Sequence, residues 1–183
     1  MSATNWYVIT GGPSSGKTTT VNLLRARGYK TTVEHARHYI DTQRITGKTV
    51  EEIKRNQKDF QHGVLAMQAA QEQELSPTET VFLDRAIPDA LAYYRFLGLS
   101  EDEQIQDAMK RVSYKKIFIL NPLPLVNDYA RTEDSEAQKE IHKLLTEVYG
   151  SLSIPVVNVP VLSPEARVDF IVKNLSSKEW DLP

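Results

Sequence analysis

The 183-residue chain is 40% hydrophobic and 25% charged, enough apolar content for one packed core, so a single domain over residues 1–183 is expected. Its formal net charge of -2 supplies no basic field to hold a nucleic-acid backbone, and no nucleic-acid partner is expected. With no cysteine, disulfides, thiolate metal sites and cysteine nucleophiles are excluded.

The N-terminus, MSATNWYVIT, lacks the basic start and long apolar run of a signal peptide. No later stretch has the length of a membrane span, so a cytoplasmic protein with no membrane partner is expected. Trp6 to Thr10 has strand character and runs into a glycine-rich turn, and a helical pattern follows from Lys17 to Arg27, stopping at Gly28. Tyr29 to Val33 reads as a second strand ending at Glu34, and His35 to Thr46 as a helix stopped by Gly47. Thr49 with Glu52 forms a capping box for a long helix that ends at Ser76-Pro77. Ile53, Phe60, Val64, Met67 and Leu75 fall near one face of it, expected to be core, while Gln68 to Glu74 reads as a solvated face.

Thr80 to Leu83 is a buried-type strand ending in Asp84. Pro88 suits the first turn of a helix through Leu97 closed by Gly98, and Ser100 caps another from Glu101 to Val112. Lys116 to Leu120 is the next strand, ended by Asn121-Pro122-Leu123-Pro124. A lid-like loop is expected over about 122–136, with Asn127 to Ser135 polar. Glu136 to Tyr149 is helical in period, Ile154 to Val159 reads as the last strand and Pro164 to Leu175 as the last helix. About five strands alternating with helices predict an α/β fold: a mostly parallel sheet in three layers with helices on both faces.

Gly11-Gly12-Pro13-Ser14-Ser15-Gly16-Lys17-Thr18 fits G-x-x-x-x-G-K-[ST] between a predicted strand and a predicted helix, with Thr19 next in line. Glycines allow backbone N–H groups to turn inward around a phosphate, and the helix N-terminus adds a favourable dipole. Lys17 supplies positive charge and the Thr18 hydroxyl can coordinate Mg²⁺. The pattern predicts a P-loop that binds the phosphates of a nucleotide with Mg²⁺.

Glu34 and Asp84 end predicted strands on the edge where α/β sheets bind ligands. Asp84 suits a Walker B role, holding a Mg²⁺-bound water, and Glu34 suits a base that takes a proton from an attacking hydroxyl. A solvated turn acid and a helix N-terminal charge are the alternatives for the two. Arg85 follows Asp84 where water-activating ATPases carry a second acid, which argues against plain ATP hydrolysis. There is no Asn-Lys-x-Asp element to select guanine and no Leu-Ser-Gly-Gly-Gln stretch. Tyr93, Tyr94 and Phe96 are expected in the core rather than stacked on a substrate. His35 and His38 share a helical face but lack a third metal ligand.

Through GGPSSGKTT, VEHAR, FLDRAIPDALAYY and NDYARTED the chain resembles, over nearly its whole length, the small bacterial P-loop family known as an AAA domain. That family lies near the ribosylnicotinamide kinase domain and, more remotely, the deoxynucleoside and thymidylate kinases. The resemblance implies Glu34 as base, Asp84 with Arg85 for metal and substrate, and Arg131 as a lid arginine over the transferring phosphate. Arg37 can hold an anionic substrate group or form a surface salt bridge, and Arg131 can equally be a solvated loop charge. The sparse positive charge of residues 127–136 argues against a strongly phosphorylated acceptor. The reading is a Mg²⁺- and ATP-dependent kinase of a nucleoside-like or other small hydroxylated acceptor. The alternatives are a nucleotide-responsive regulatory ATPase with slow hydrolysis and a plain NTP hydrolase.

Overall fold

The computed structural model describes residues 4–36, 38–40, 49, 52, 55–124 and 135–175. In chain order its elements are β1 (Trp6–Thr10), α1 (Lys17–Ala26), β2 (Lys30–Thr31), α2 (Gln57–Glu74), β3 (Val81–Asp84) and α3 (Ile87–Phe96). There follow α4 (Glu103–Met109), β4 (Lys116–Leu120), α5 (Ser135–Gly150), β5 (Val156–Val159) and α6 (Pro164–Lys173). The described residues 35, 36 and 38–40 are also helical.

All five strands pair in parallel in the order β2-β3-β1-β4-β5. β1, β3 and β4 are buried along their whole length, which is why they read as continuous apolar runs rather than alternating ones. Alternation instead sorts their side chains between two cores. Trp6, Val8, Val81, Leu83, Ile117 and Ile119 face the side covered by α2, α3, α4 and α5, where Leu65, Leu91, Ile105 and Leu145 meet them. Tyr7, Ile9, Phe82, Phe118 and Leu120 face the side covered by α1 and α6, through Val21, Leu24, Val168 and Ile171. The result is the expected three-layer α/β fold.

Helix ends follow local chemistry. α1 is followed by Gly28 at φ 88° and α3 by Gly98 at φ 64°, left-handed positions that glycine adopts without a Cβ penalty. α3 carries Pro88 in its first turn, and Ser163 caps α6 ahead of Pro164.

Several boundaries differ from the sequence reading. The Thr49–Glu52 capping box forms, but the chain bends at Asn56, whose side chain caps α2 afresh, so the long helix starts at Gln57. Asp102 rather than Ser100 caps α4, and that helix is confined to Glu103–Met109. β2 contributes two residues and β5 starts at Val156, because only those positions find a neighbouring strand. Residues 135 and 136 of the expected lid open α5, and residues 125–134 lie outside the described set, as do 41–48.

The largest correction concerns α2. Phe60, Val64, Met67 and Leu75 are half-buried, and Ile53 lies outside the described residues. The fully buried stripe is Gln61, Leu65, Gln68 and Glu72, so Gln68 to Glu74 is not a solvated face. Polar groups are stable inside when they find partners: Glu72 accepts from the Tyr114 hydroxyl, from Gln68 and from the Ile87 N–H.

Candidate functional site

Because the strands are parallel, the segments after β1, β2 and β3 open on one edge of the sheet beside the central strand. The loop after β1 is residues 11–16. Gly11 has φ 149°, and a Cβ there would lie 2.8 Å from the Leu120 carbonyl oxygen and 2.8 Å from Ser15 Oγ, so only glycine fits without displacement. Ser14 at φ 54° and Gly16 at φ 82° complete a loop of alternating backbone handedness. Such a loop turns N–H groups inward to form an anion-binding concavity. Gly16 caps α1 with no side-chain acceptor, so the first N–H groups of the helix open on the same concavity.

Lys17 is 8% exposed and its Nζ donates to the Gly11 and Gly12 carbonyls at 2.7 and 2.9 Å and to Ser15 Oγ at 3.4 Å. Burial, then the nearby Arg85 charge, lowers its pKa to about 7, against the pull of Asp89, Glu34 and Asp84. Its charge is thus held in the loop by neutral oxygens, two carbonyls and a hydroxyl, a placement that a bound polyphosphate would improve. Thr18 and Thr19 are exposed in the first turn of α1.

Other elements brace the loop. Arg167 of α6 is 2% exposed and donates to the Ser15 carbonyl, to the Asn121 carbonyl at 2.9 Å and to the Pro160 carbonyl at 3.0 Å. Gln138 of α5 donates to the Pro13 carbonyl at 2.6 Å, and His142 packs against Gly12.

Asp84 ends β3, buried, with its own N–H donating to Thr32 Oγ1 at 2.9 Å. Burial, then the Glu34 charge, raises its pKa to about 6. Arg85 follows at φ 66°, an unfavourable region for a side-chain-bearing residue, costing on the order of 1 kcal/mol or more. Its N–H is tied to the Ile9 carbonyl at 3.0 Å, and its guanidinium bonds Glu34 at 3.1 Å and the Tyr93 hydroxyl at 3.1 Å. The Tyr93 ring lies 5.2 Å from the Arg85 Cζ.

Lys17, Thr18, Glu34, Asp84 and Arg85 thus come from three places in the chain to one sheet edge. Arg37 and Arg131 lie outside the described residues. Tyr94 is fully buried, and Tyr93 and Phe96 pack at the core edge, as the sequence suggests; the Tyr93 hydroxyl also accepts from Arg85. His35 is buried against Gln71 and stacks on His38. Among the described residues no three His or acidic side chains form a metal cluster.

Residues the sequence reading missed are Thr10, Asp89, Gln138 and Arg167. Asp89 alone carried a signal, as an acid in the first turn of a helix four residues after Arg85.

A family model described as an AAA domain matches residues 6–167. The chain belongs to this family. Solved structures share the fold of this AAA domain. Deoxyadenosine kinase from M. mycoides with products dCMP and a flexible dCDP bound superposes with a TM-score of 0.67 at 16% identity, covering 94% of this chain and 100% of that one. NadR in complex with NR also gives 0.67, at 19% identity over 94% of this chain. NadR with NAD and AMP-PNP gives 0.67 at 21% identity over 97% of this chain. The AAA-domain chain spans about half of NadR, 52% and 51% in the two structures. No curated protein matches by sequence. The AAA domain here therefore has the α/β P-loop fold of these solved structures.

Proposed function

We propose that this AAA-domain chain is a Mg²⁺- and ATP-dependent kinase that transfers the γ-phosphoryl group to a hydroxyl of a nucleoside-like small molecule. The observation that carries the reading is the meeting, at one sheet edge, of a lysine-filled phosphate cradle with the buried Asp84 and the Glu34–Arg85 pair. Neither half suffices alone: a cradle binds nucleotide, and the carboxylate–arginine pair gives an acceptor hydroxyl a base and a cation.

In this reading residues 11–19 bind the phosphates of ATP, and Lys17 moves its Nζ from the loop carbonyls to phosphate oxygens. The donor set fits Mg²⁺, which favours a hydroxyl, one carboxylate, water and phosphate oxygen over a cage of protein ligands. Thr18 and Asp84 would hold it, and its charge would neutralise the phosphates. Glu34 takes the acceptor proton as the hydroxyl oxygen bonds to the γ-phosphorus and the bond to the β-phosphate oxygen breaks, releasing ADP. Arg85 holds the Glu34 carboxylate in place and offsets the charge that gathers on the transferring group. The names of the structural relatives support a nucleoside-like acceptor.

The test is ADP release from Mg-ATP by the purified protein, alone and with a panel of nucleosides, nucleotides and small hydroxylated metabolites. Acceptor-dependent release that drops about 100-fold or more in Lys17→Ala is expected. ATP binding with no acceptor stimulation would overturn the kinase reading in favour of a nucleotide-responsive regulator.

A further inference from the structure

We propose that Asp89, a residue that touches neither cradle nor acceptor, is the positioning residue that holds the phosphate cradle, Arg85 and α5 in one register. Asp89 is 3% exposed, in the first turn of α3. Its Oδ1 accepts from Thr10 Oγ1 at 2.6 Å, and Thr10 is the last residue of β1, directly before the cradle. Its Oδ2 accepts from the Ala86 N–H at 3.1 Å and from the Tyr149 hydroxyl of α5. The Arg85 Nη1 lies 3.7 Å from Oδ1. One buried carboxylate therefore meets the strand that feeds the cradle, the turn that carries Arg85, and the helix whose Gln138 bonds the cradle at Pro13.

The chemistry requires an anion here. Three donors converge on two oxygens, and the Arg85 charge faces them from 3.7 Å, so a neutral side chain here would leave Arg85 with Glu34 as its sole carboxylate among the described residues. The backbone at Arg85 is in the left-handed region and relaxes unless its neighbours over-determine it. The Ala86 clamp and the Arg85 contact are what Asp89 adds on the α3 side. Without them Arg85 keeps its N–H bond to the Ile9 carbonyl and its side-chain bonds to Glu34 and Tyr93, and loses the second carboxylate that faces its guanidinium.

Asp89→Asn is an isosteric test. The amide oxygen can keep the Ala86 N–H and Tyr149 bonds while the amide nitrogen faces Thr10, whose hydroxyl can turn to accept; only the negative charge towards Arg85 is removed. This role rests on the kinase reading for its effect on turnover, but not for its effect on Arg85. The Arg85 Nε–H signal of ¹⁵N-labelled protein, assigned with Arg85→Lys, is expected to be slowly exchanging in the unmodified chain and broadened or lost in Asp89→Asn. The dissociation constant for AMP-PNP should stay within about threefold, since the cradle itself is intact. With an acceptor found in the panel, kcat should fall about 30-fold, and Asp89→Asn with Arg85→Lys should be no slower than Arg85→Lys alone. An unchanged Arg85 signal, or losses that multiply in the double variant, would overturn the role. If Asp89→Asn does not fold, Tyr149→Phe removes one donor and keeps the charge; a shifted Arg85 signal upholds the register and an unmoved one overturns it. If no acceptor stimulates the unmodified chain, the kinase reading fails and the Arg85 signal still decides the role of Asp89.

Discussion

At the scale of single residues, the site is a set of positions where side-chain size or charge has no substitute. Gly11 is the sharpest. Its φ of 149° and the 2.8 Å approach of the Leu120 carbonyl oxygen leave no room for a Cβ, and the obstacle is backbone, which cannot rotate away. Gly11→Ala should therefore destabilise the protein by about 1–3 kcal/mol and weaken AMP-PNP binding at least about tenfold, read by thermal melts and calorimetry. Ser14, also at positive φ, lacks such a signal in sequence, because serine is tolerated in many backbone conformations. Glu34 and Asp84 were legible because each ends a run of strand-forming residues, a local event. That Arg85 grips Glu34 was not, since 51 residues separate them.

At the scale of elements, two helices are held by buried polar side chains as well as by apolar contacts. Arg167 anchors α6 to three carbonyls, of Ser15, Asn121 and Pro160. Arg167→Met retains the aliphatic stem and leaves those carbonyls without their donor. Unfolding in urea should show a loss of about 2–4 kcal/mol, with weaker nucleotide binding because Ser15 is released. Glu72 of α2 holds the start of α3 and the Tyr114 hydroxyl, and burial raises its pKa from 4.5 to about 7. Folding therefore favours its protonated form: the contribution is complete below about pH 4.5 and is lost as pH rises through 7. Asp84, raised to about 6, adds in the same direction, whereas Lys17, lowered to about 7, opposes them by adding stability as pH rises above about 7. Unfolding free energy should fall between about pH 5 and 7, and Glu72→Gln should remove a large part of that fall, on the order of a few kcal/mol. A slope that Glu72→Gln leaves intact would place the titration elsewhere.

At the scale of the whole molecule, the two cores meet at the sheet, and its central strand serves both. Ile9 and Val8 of β1 are fully buried on opposite faces, Ile9 against α1 and α6, Val8 against α2 to α5. Ile9→Ala should cost about 2–5 kcal/mol and lower the melting temperature by about 10 °C. Because Ile9 also accepts the Arg85 N–H through its carbonyl, the strand that stabilises the fold also fixes the turn bearing the site. Scaffold and site are the same structure seen from two ends of the strands.

By itself the sequence determined what depends on neighbouring residues. The cradle motif, the alternation of apolar runs with helical periods, and the glycine, proline and serine punctuation follow from local sterics and hydrogen bonding. They sufficed for the three-layer α/β fold and for placing Gly11 to Thr18, Glu34 and Asp84 together at one sheet edge. Only the tertiary structure decided which polar side chains would be buried. Gln68 and Glu72 read as solvated because helical period alone treats polar residues as outward-facing, yet the start of α3 and Tyr114 supply their partners. Asp89 and Arg167 were not singled out, for the same reason. Their partners Thr10 and Ser15 lie 79 and 152 residues away, and no local rule brings such distances together. A charge is stable inside only where the fold delivers its counterpart, so its place is settled by topology rather than by spacing.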